Sequence, residues 1–384
     1  MTASSATAVV GECDPRLRPV RDLLARRLAV GDEVGASLSV MSGDDVLVDL
    51  WGGVADPASG RAWERDTLAN TYSLTKTMTA LAVLVLVDRG LLDLDAPVAR
   101  YWPEFVAAGK DEVLVRHVLG HTSGVSGWDR RMRIEDLYRQ GEAAALLAQQ
   151  APWWRPGDGS GYHALTFGTV LAEVVGRVTG RTLGEFVAAE IADPLGADYR
   201  IGVTGVDPTR FASMIAPPPT GFDYGSLPPD SILLRTLLNP AFVPSVTADR
   251  DFLAAELGAV NGQGNARSVA LMQSIVTGGG TARGRRFLSA DTVERIFDVQ
   301  ADGVDRVLGA PVRFGLGWAL PGPSMPGVPD GRVCWWTGFG GSIVVSDLDR
   351  GITIGYVMNK MAPQLVGAPN PNDYVTAVYD CLDR

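Results

Sequence analysis

The sequence predicts an α+β fold: an antiparallel sheet, built from both ends of the chain and flanked by helices, joined to a mainly helical region. Three observations carry this. Two β-rich runs surround a turn near the N-terminus, three further β-type runs lie near the C-terminus, and helical patterns fill most of the interval.

From Pro15 to about Val30, Val20, Leu23, Leu24 and Leu28 fall on one face, the signature of an amphipathic helix that packs on a sheet. Val34 to Trp51 holds two β-rich runs about Ser42-Gly43-Asp44-Asp45, an antiparallel hairpin signal. After a loop to Asn70 comes YSLTKTMTALAVLVLVDRG, apolar nearly all round and therefore a buried helix, ending at Gly90, where a left-handed cap is sterically easy. Residues 91–250 carry helical patterns such as Glu142–Gln150 and Thr166–Thr179 between proline-rich loops. The longest irregular stretch, Ala216–Ser231, suits a lid or substrate wall and equally a surface excursion. Helices are predicted over Asn265–Thr277 and Ser289–Val299, and β-type runs over Phe314–Ala319, Ser342–Ser346 and Ile352–Met358. The chain thus reads as one domain with an α/β subdomain (1–70 and 265–384) and a mainly helical subdomain (71–264). No fixed-period repeat is present.

Composition narrows the function. Of 384 residues 46% are hydrophobic and 20% charged, enough for a large core. With 34 basic against 44 acidic residues and no basic cluster, neither nucleic acid nor an anionic membrane is an expected partner. The N-terminus lacks a signal-peptide pattern and no apolar stretch spans a bilayer, so a soluble, cytoplasmic protein is expected. Cys13, Cys334 and Cys381 suit reduced thiols; no cysteine and none of His117, His121 and His163 has zinc-site spacing, so no metal is expected.

The chemistry centres on Ser73-Leu74-Thr75-Lys76, where three-residue spacing puts hydroxyl and amine on one helical face. A serine needs a base to become a nucleophile, and a lysine desolvated in an apolar helix is depressed enough in pKa to serve. The chain has twenty serines and only three lysines, so random placement gives about 0.16 such matches. Taken alone, the motif also fits a helix start with a lysine reaching solvent. Tyr162, in the glycine-rich WRPGDGSGYHALTFG, completes a proton relay if it stands near Lys76; taken alone, it is a packed loop tyrosine. In Trp335-Trp336-Thr337-Gly338-Phe339-Gly340-Gly341-Ser342, the backbone N–H of Phe339 is a candidate oxyanion-hole donor together with that of Ser73; taken alone, the segment is a bulged strand edge.

The ordered set of S-x-x-K (Ser73 to Lys76), VLGHTSGV (Val118 to Val125), the Tyr162 loop, W-T-G (Trp336 to Gly338) and YVMNKM (Tyr356 to Met361) resembles the serine β-lactamase and penicillin-binding-protein superfamily. It is closest in pattern to the β-lactamase-like carboxylesterases called family VIII, from about residue 15 to the end. The resemblance implies an antiparallel sheet flanked by helices with a site between it and a helical region. It implies Ser73 as nucleophile, Lys76 and Tyr162 as bases, Trp336 on the strand lining the cleft, and a structural His121. Thr337, Gly338, His163 and Tyr224 complete the expected substrate-binding set.

Two departures shape the expected substrate. Where β-lactamases and peptidases of that superfamily carry Tyr-x-Asn and Lys-Thr-Gly, this chain has Tyr162-His163-Ala164 and Trp336-Thr337-Gly338. An indole in place of a cation removes the partner for an anionic substrate and offers an apolar wall. Trp128, Trp153, Trp154, Phe222, Tyr224 and Phe242 are further candidates for that wall. The leading reading is a carboxylesterase cleaving small apolar esters through a Ser73 acyl-enzyme, with no cofactor. The alternatives are a transacylase passing the acyl group to an alcohol or amine, and a binding protein that has lost catalysis.

Overall fold

The computed structural model describes residues 8–219 and 224–384, with the Tyr224 side chain outside the described set. Its main sheet takes β1 (Val9–Cys13), β2 (Gly35–Ser42) and β3 (Asp45–Asp56) from one end of the chain. The other end supplies β4 (Val333–Thr337), β5 (Ile343–Asp347) and β6 (Ile352–Met358). The order is β1-β3-β2-β6-β5-β4 with every neighbour antiparallel, and the β6–β2 pairing, Tyr356 opposite Leu38, joins the two ends. The expected fold class is the observed one.

Strand alternation divides the apolar side chains between two cores. On one face α1 (Arg18–Val30) contributes Val20, Leu24 and Leu28 against Leu38, Val40, Ile354 and Tyr356. The remaining helices that matter are α2 (Thr75–Asp88), α3 (Gln140–Gln149), α4 (Thr166–Thr179), α5 (Ala266–Thr277) and α6 (Pro369–Leu382). α6 lies beside α1 on that first face, through Tyr374, Val375 and Val378. On the opposite face α5 covers Val344 and Val357, and behind it α2 packs with α4 in the larger core. All residues of α2 from Thr75 to Leu86 are buried, as its uninterrupted apolar pattern predicts. Each Leu or Val so buried contributes about 1.5–3 kcal/mol relative to exposure, which makes α2 a rigid support for what stands at its N-terminus.

Several elements differ from expectation. β1 was not predicted: five residues on a sheet edge, interrupted by Gly11, give a weak alternation signal. Nor was α6, whose first turn reads Pro-Asn-Pro-Asn; Pro369 and Pro371 are tolerated there because first-turn N–H groups have no helical acceptor. The run expected as a strand over Phe314–Ala319 ends at Phe314, in a separate hairpin of Ala301–Val304 with Pro311–Phe314, because the chain turns through Gly315 and Gly317. The Ser289–Val299 helix shortens to Ala290–Glu294 followed by a tighter turn at Arg295–Phe297. Asn265 caps α5 rather than joining it, its side chain accepting from the Ser268 N–H. Of the long irregular stretch, residues 220–223 lie outside the described set, and Ser231 caps a short helix, Ile232–Leu237. Among the described residues no helix is long and apolar enough to cross a membrane.

Candidate active site

Ser73 stands in a single tight turn, Tyr72–Leu74, that feeds directly into α2. The residue before that turn is fastened on three sides. Thr71 donates its N–H to the Gly262 carbonyl (2.8 Å), shares a hydrogen bond with the Tyr199 hydroxyl (2.8 Å), and accepts from Ser342 Oγ (3.0 Å). Tyr72 takes the left-handed backbone conformation, φ 48°, which costs a residue with a Cβ about 1–3 kcal/mol. Its ring holds the cost in place: it meets Phe242 and Phe339 edge-on at 5.7 and 5.8 Å, and its hydroxyl donates to Met361 Sδ.

Three residues on, Lys76 lies in the first turn of α2 with 1% exposure, and its Nζ donates to Ser73 Oγ (3.2 Å), the Ala164 carbonyl (2.8 Å) and the Ala259 carbonyl (3.1 Å). The arrangement serves both protonation states. An ammonium satisfies all three acceptors; a neutral amine keeps its two N–H groups on the carbonyls and turns its lone pair to the serine hydroxyl. Burial pushes the amine well below the usual lysine pKa.

Tyr162 comes from the loop ahead of α4, and its ring lies 4.7 Å from Lys76 Nζ, 5.3 Å from Trp336 and 4.9 Å from His121. Its Oη faces Ser73 and the Trp336 indole without closing a hydrogen bond to either; burial raises the phenol pKa far above its usual value. The Trp336 Nε1 is likewise buried and unpartnered among the described residues.

The loop behind Tyr162 is built from histidine. His121 Nδ1 accepts from the His163 N–H (3.1 Å), and its carbonyl accepts from the Gly161 N–H (3.0 Å). Burial keeps both rings neutral, with pKa values pushed down, to about 4 for His163.

The structure thus brings Ser73, Lys76, Tyr162 and Trp336 together. His163, expected to bind substrate, is instead fully buried, its Nδ1 against the Gly161 carbonyl and its Nε2 against Ser123 Oγ, both 2.6 Å, so it braces the loop. The Thr337 hydroxyl turns inward to the Ser342 carbonyl (2.9 Å). Gly338 passes so close to the Ser73 turn that a Cβ there would lie 2.2 Å from the Thr71 carbonyl oxygen. The N–H groups of Ser73 and Phe339 donate to no protein acceptor among the described residues. Of the aromatic candidates, Phe242 packs on Tyr72; Trp128 belongs to the helical core, Trp153 stacks under Arg235, and Trp154 lines the back of the Tyr162 loop. Phe222 and the Tyr224 side chain lie outside the described residues. Sequence reasoning missed Tyr199, which ties down Thr71, and Asp305, which accepts from the Tyr162 N–H (3.0 Å). Neither has a local signal. Among the described residues no group of three or more His, Cys, Asp or Glu is placed to hold a metal.

A hydroxyl with a buried amine on one side and a phenol on the other is an arrangement for acyl transfer. Comparison with known proteins agrees. The Beta-lactamase family model matches residues 20–376. The chain is 34% identical to the esterase/beta-lactamase LipL of Mycobacterium tuberculosis, over 93% of this chain and 84% of that protein. It is 36% identical to esterase EstB of Burkholderia gladioli over 55% of this chain and 58% of that one. Among solved structures, a family VIII carboxylesterase superposes with a TM-score of 0.90 at 37% identity, covering 97% of this chain and all of that one. A penicillin-binding-protein homologue from Caulobacter crescentus superposes at 0.89 and 31% identity, over 97% and 100% of the two chains. With its family model, its relatives and its site geometry in agreement, the chain belongs to the β-lactamase family.

Proposed function

We propose that the protein is a serine carboxylesterase that cleaves small, neutral, apolar esters through an acyl-enzyme on Ser73. The observation that carries the proposal is the 3.2 Å contact between the buried Lys76 amine and Ser73 Oγ. The neutral amine takes the hydroxyl proton as Oγ attacks the ester carbonyl, and the oxyanion forms against the N–H groups of Ser73 and Phe339. Tyr162 gives its phenolic proton to the leaving alkoxide and recovers one from the Lys76 ammonium beneath its ring. Water then enters and loses a proton to the neutral Lys76 amine as it attacks the acyl carbonyl, and the ammonium returns that proton to Ser73 Oγ as the acyl–oxygen bond breaks and the acid leaves. The apolar preference follows from the Trp336 indole packed on Tyr162 and from the Phe242 and Phe339 rings packed on Tyr72, the residue before Ser73.

Ser73→Ala tests the proposal. It is expected to abolish hydrolysis of p-nitrophenyl acetate and butyrate with the thermal melt unchanged, and a fluorophosphonate is expected to label the Ser73 peptide in the unmodified protein. Undiminished turnover in the alanine variant, or a label elsewhere, would overturn it.

A further inference from the structure

Among the described residues the Tyr162 phenol closes no hydrogen bond, so ring packing and its backbone set its position. The backbone N–H of Tyr162 has one acceptor, Oδ1 of Asp305 (3.0 Å), 143 residues away in sequence. The same oxygen accepts from the N–H groups of Val307 (2.8 Å) and Leu308 (2.9 Å), which locks the turn that carries it. The neighbouring Arg306 donates its N–H to the Ser160 carbonyl (3.0 Å) and lays its guanidinium 5.2 Å from the Trp154 ring. The hairpin that this turn closes ends in Phe314, whose ring meets His121 at 4.7 Å and Trp336 at 5.4 Å. One rigid piece therefore touches the tyrosine, the indole and the histidine brace.

We propose that Asp305 is a positioning residue for the reaction: it holds the Tyr162 backbone so that the phenol faces Ser73. The proposal rests on the reading of Tyr162 as the proton donor to the leaving alkoxide. A second feature of Asp305 supports it. The residue is completely buried, yet its Oδ2 has no partner among the described residues. An asparagine closes such a turn equally well through one oxygen, so the turn alone does not account for a buried carboxylate with a free oxygen. Its charge acts on Tyr162: after burial, which dominates, the Asp305 carboxylate also raises the phenol pKa, and so favours the protonated form that a leaving alkoxide requires.

A double-mutant cycle with Tyr162→Phe tests this, read as kcat/KM for p-nitrophenyl butyrate on protein verified as folded by circular dichroism. Asp305→Ala is expected to lower kcat/KM by about 100-fold, the scale of a displacement of about 1 Å in a catalytic group. Asp305→Asn, which retains an acceptor oxygen but not the charge, is expected to restore most of that loss and to leave a small residual deficit from the lost charge; no restoration would overturn the positioning role. In the Tyr162→Phe background Asp305→Ala is expected to cost nothing further, because the group it positions is already gone. A folded Asp305→Ala with unchanged kcat/KM, or the same loss in both backgrounds, would overturn the assignment. If the alanine variant does not fold, Asp305→Glu enters the cycle: it keeps the charge but moves the carboxylate by one methylene, and an unchanged rate overturns the proposal equally. Tyr162→Phe at full activity would instead overturn the reading of Tyr162, a separate outcome.

Discussion

Lys76 and Lys110 occupy matching surroundings in two regions of the molecule. Each is buried, each donates Nζ to two backbone carbonyls (Ala164 and Ala259 for one, Ala107 and Gln150 for the other), and each lies under an aromatic ring. Burial lowers both pKa values, Lys110 to about 8 and Lys76 well below the usual lysine value. The difference is in the third neighbour and the ring. Lys76 has Ser73 Oγ at 3.2 Å and the centre of the Tyr162 ring at 4.7 Å; Lys110 has the centre of the Phe105 ring at 5.2 Å and, among the described residues, no hydroxyl bonded to it. A depressed lysine is thus not by itself a catalytic base. The amine needs a hydroxyl to deprotonate and a second group to exchange the proton with.

The largest effect separates the two lysines directly. Lys76→Arg keeps a cation that cannot give up its proton, and is expected to lower kcat/KM for p-nitrophenyl butyrate by about 10³–10⁴-fold, whereas Lys110→Met leaves it unchanged per folded molecule. Equal losses would break the comparison. The pH profile sharpens it. Because the Lys76 pKa is depressed and the base must be neutral, kcat/KM is expected to rise with pH through a midpoint well below the 10.5 of an ordinary lysine; a midpoint at that ordinary value would show that burial does not tune the base.

Gly338→Ala addresses the feature that the Lys110 region lacks, the close approach of a strand end to the Ser73 turn. Its Cβ has no room beside the Thr71 carbonyl, and overpacking of this kind destabilises by about 1–3 kcal/mol. A lowered urea midpoint with reduced esterase activity is expected, and unchanged values for both would show that the turn yields freely. The smallest effect belongs to Lys110. Its folded pKa lies below that of the unfolded chain, so the unfolded state binds more protons between about pH 8 and 10.5, and stability rises with pH across that window. The slope is at most about 1.4 kcal/mol per pH unit. Urea titrations across the window should show a shallower rise in Lys110→Met than in the unmodified protein; an identical slope would mean that Lys110 titrates normally.

The parts of the site legible in the sequence are those whose geometry is local. Ser73 and Lys76 are three residues apart on a helix, and helical periodicity alone puts their side chains on one face. The all-apolar pattern of α2 announces its burial, and the apolar alternation of β2 and β6 announces strands. His163 shows the limit of that logic. It is adjacent to Tyr162 in sequence, but the loop sends the two rings different ways, one over Lys76 and one into a clamp with Ser123 and Gly161. Asp305 and Tyr199 carried no signal, because their contacts cross 143 and 128 residues of chain.

By itself, then, the sequence determined the α+β class, the buried helix and the paired serine and lysine at its start, since each follows from hydrophobic period or from spacing within one helical turn. Only the tertiary structure decided which way the loop rings face, which carboxylate anchors Tyr162, and that the Trp336 indole N–H and the Tyr162 hydroxyl are buried without a partner among the described residues. Those outcomes depend on how distant segments pack around a common core, and side-chain direction in irregular loops has no period from which to read it.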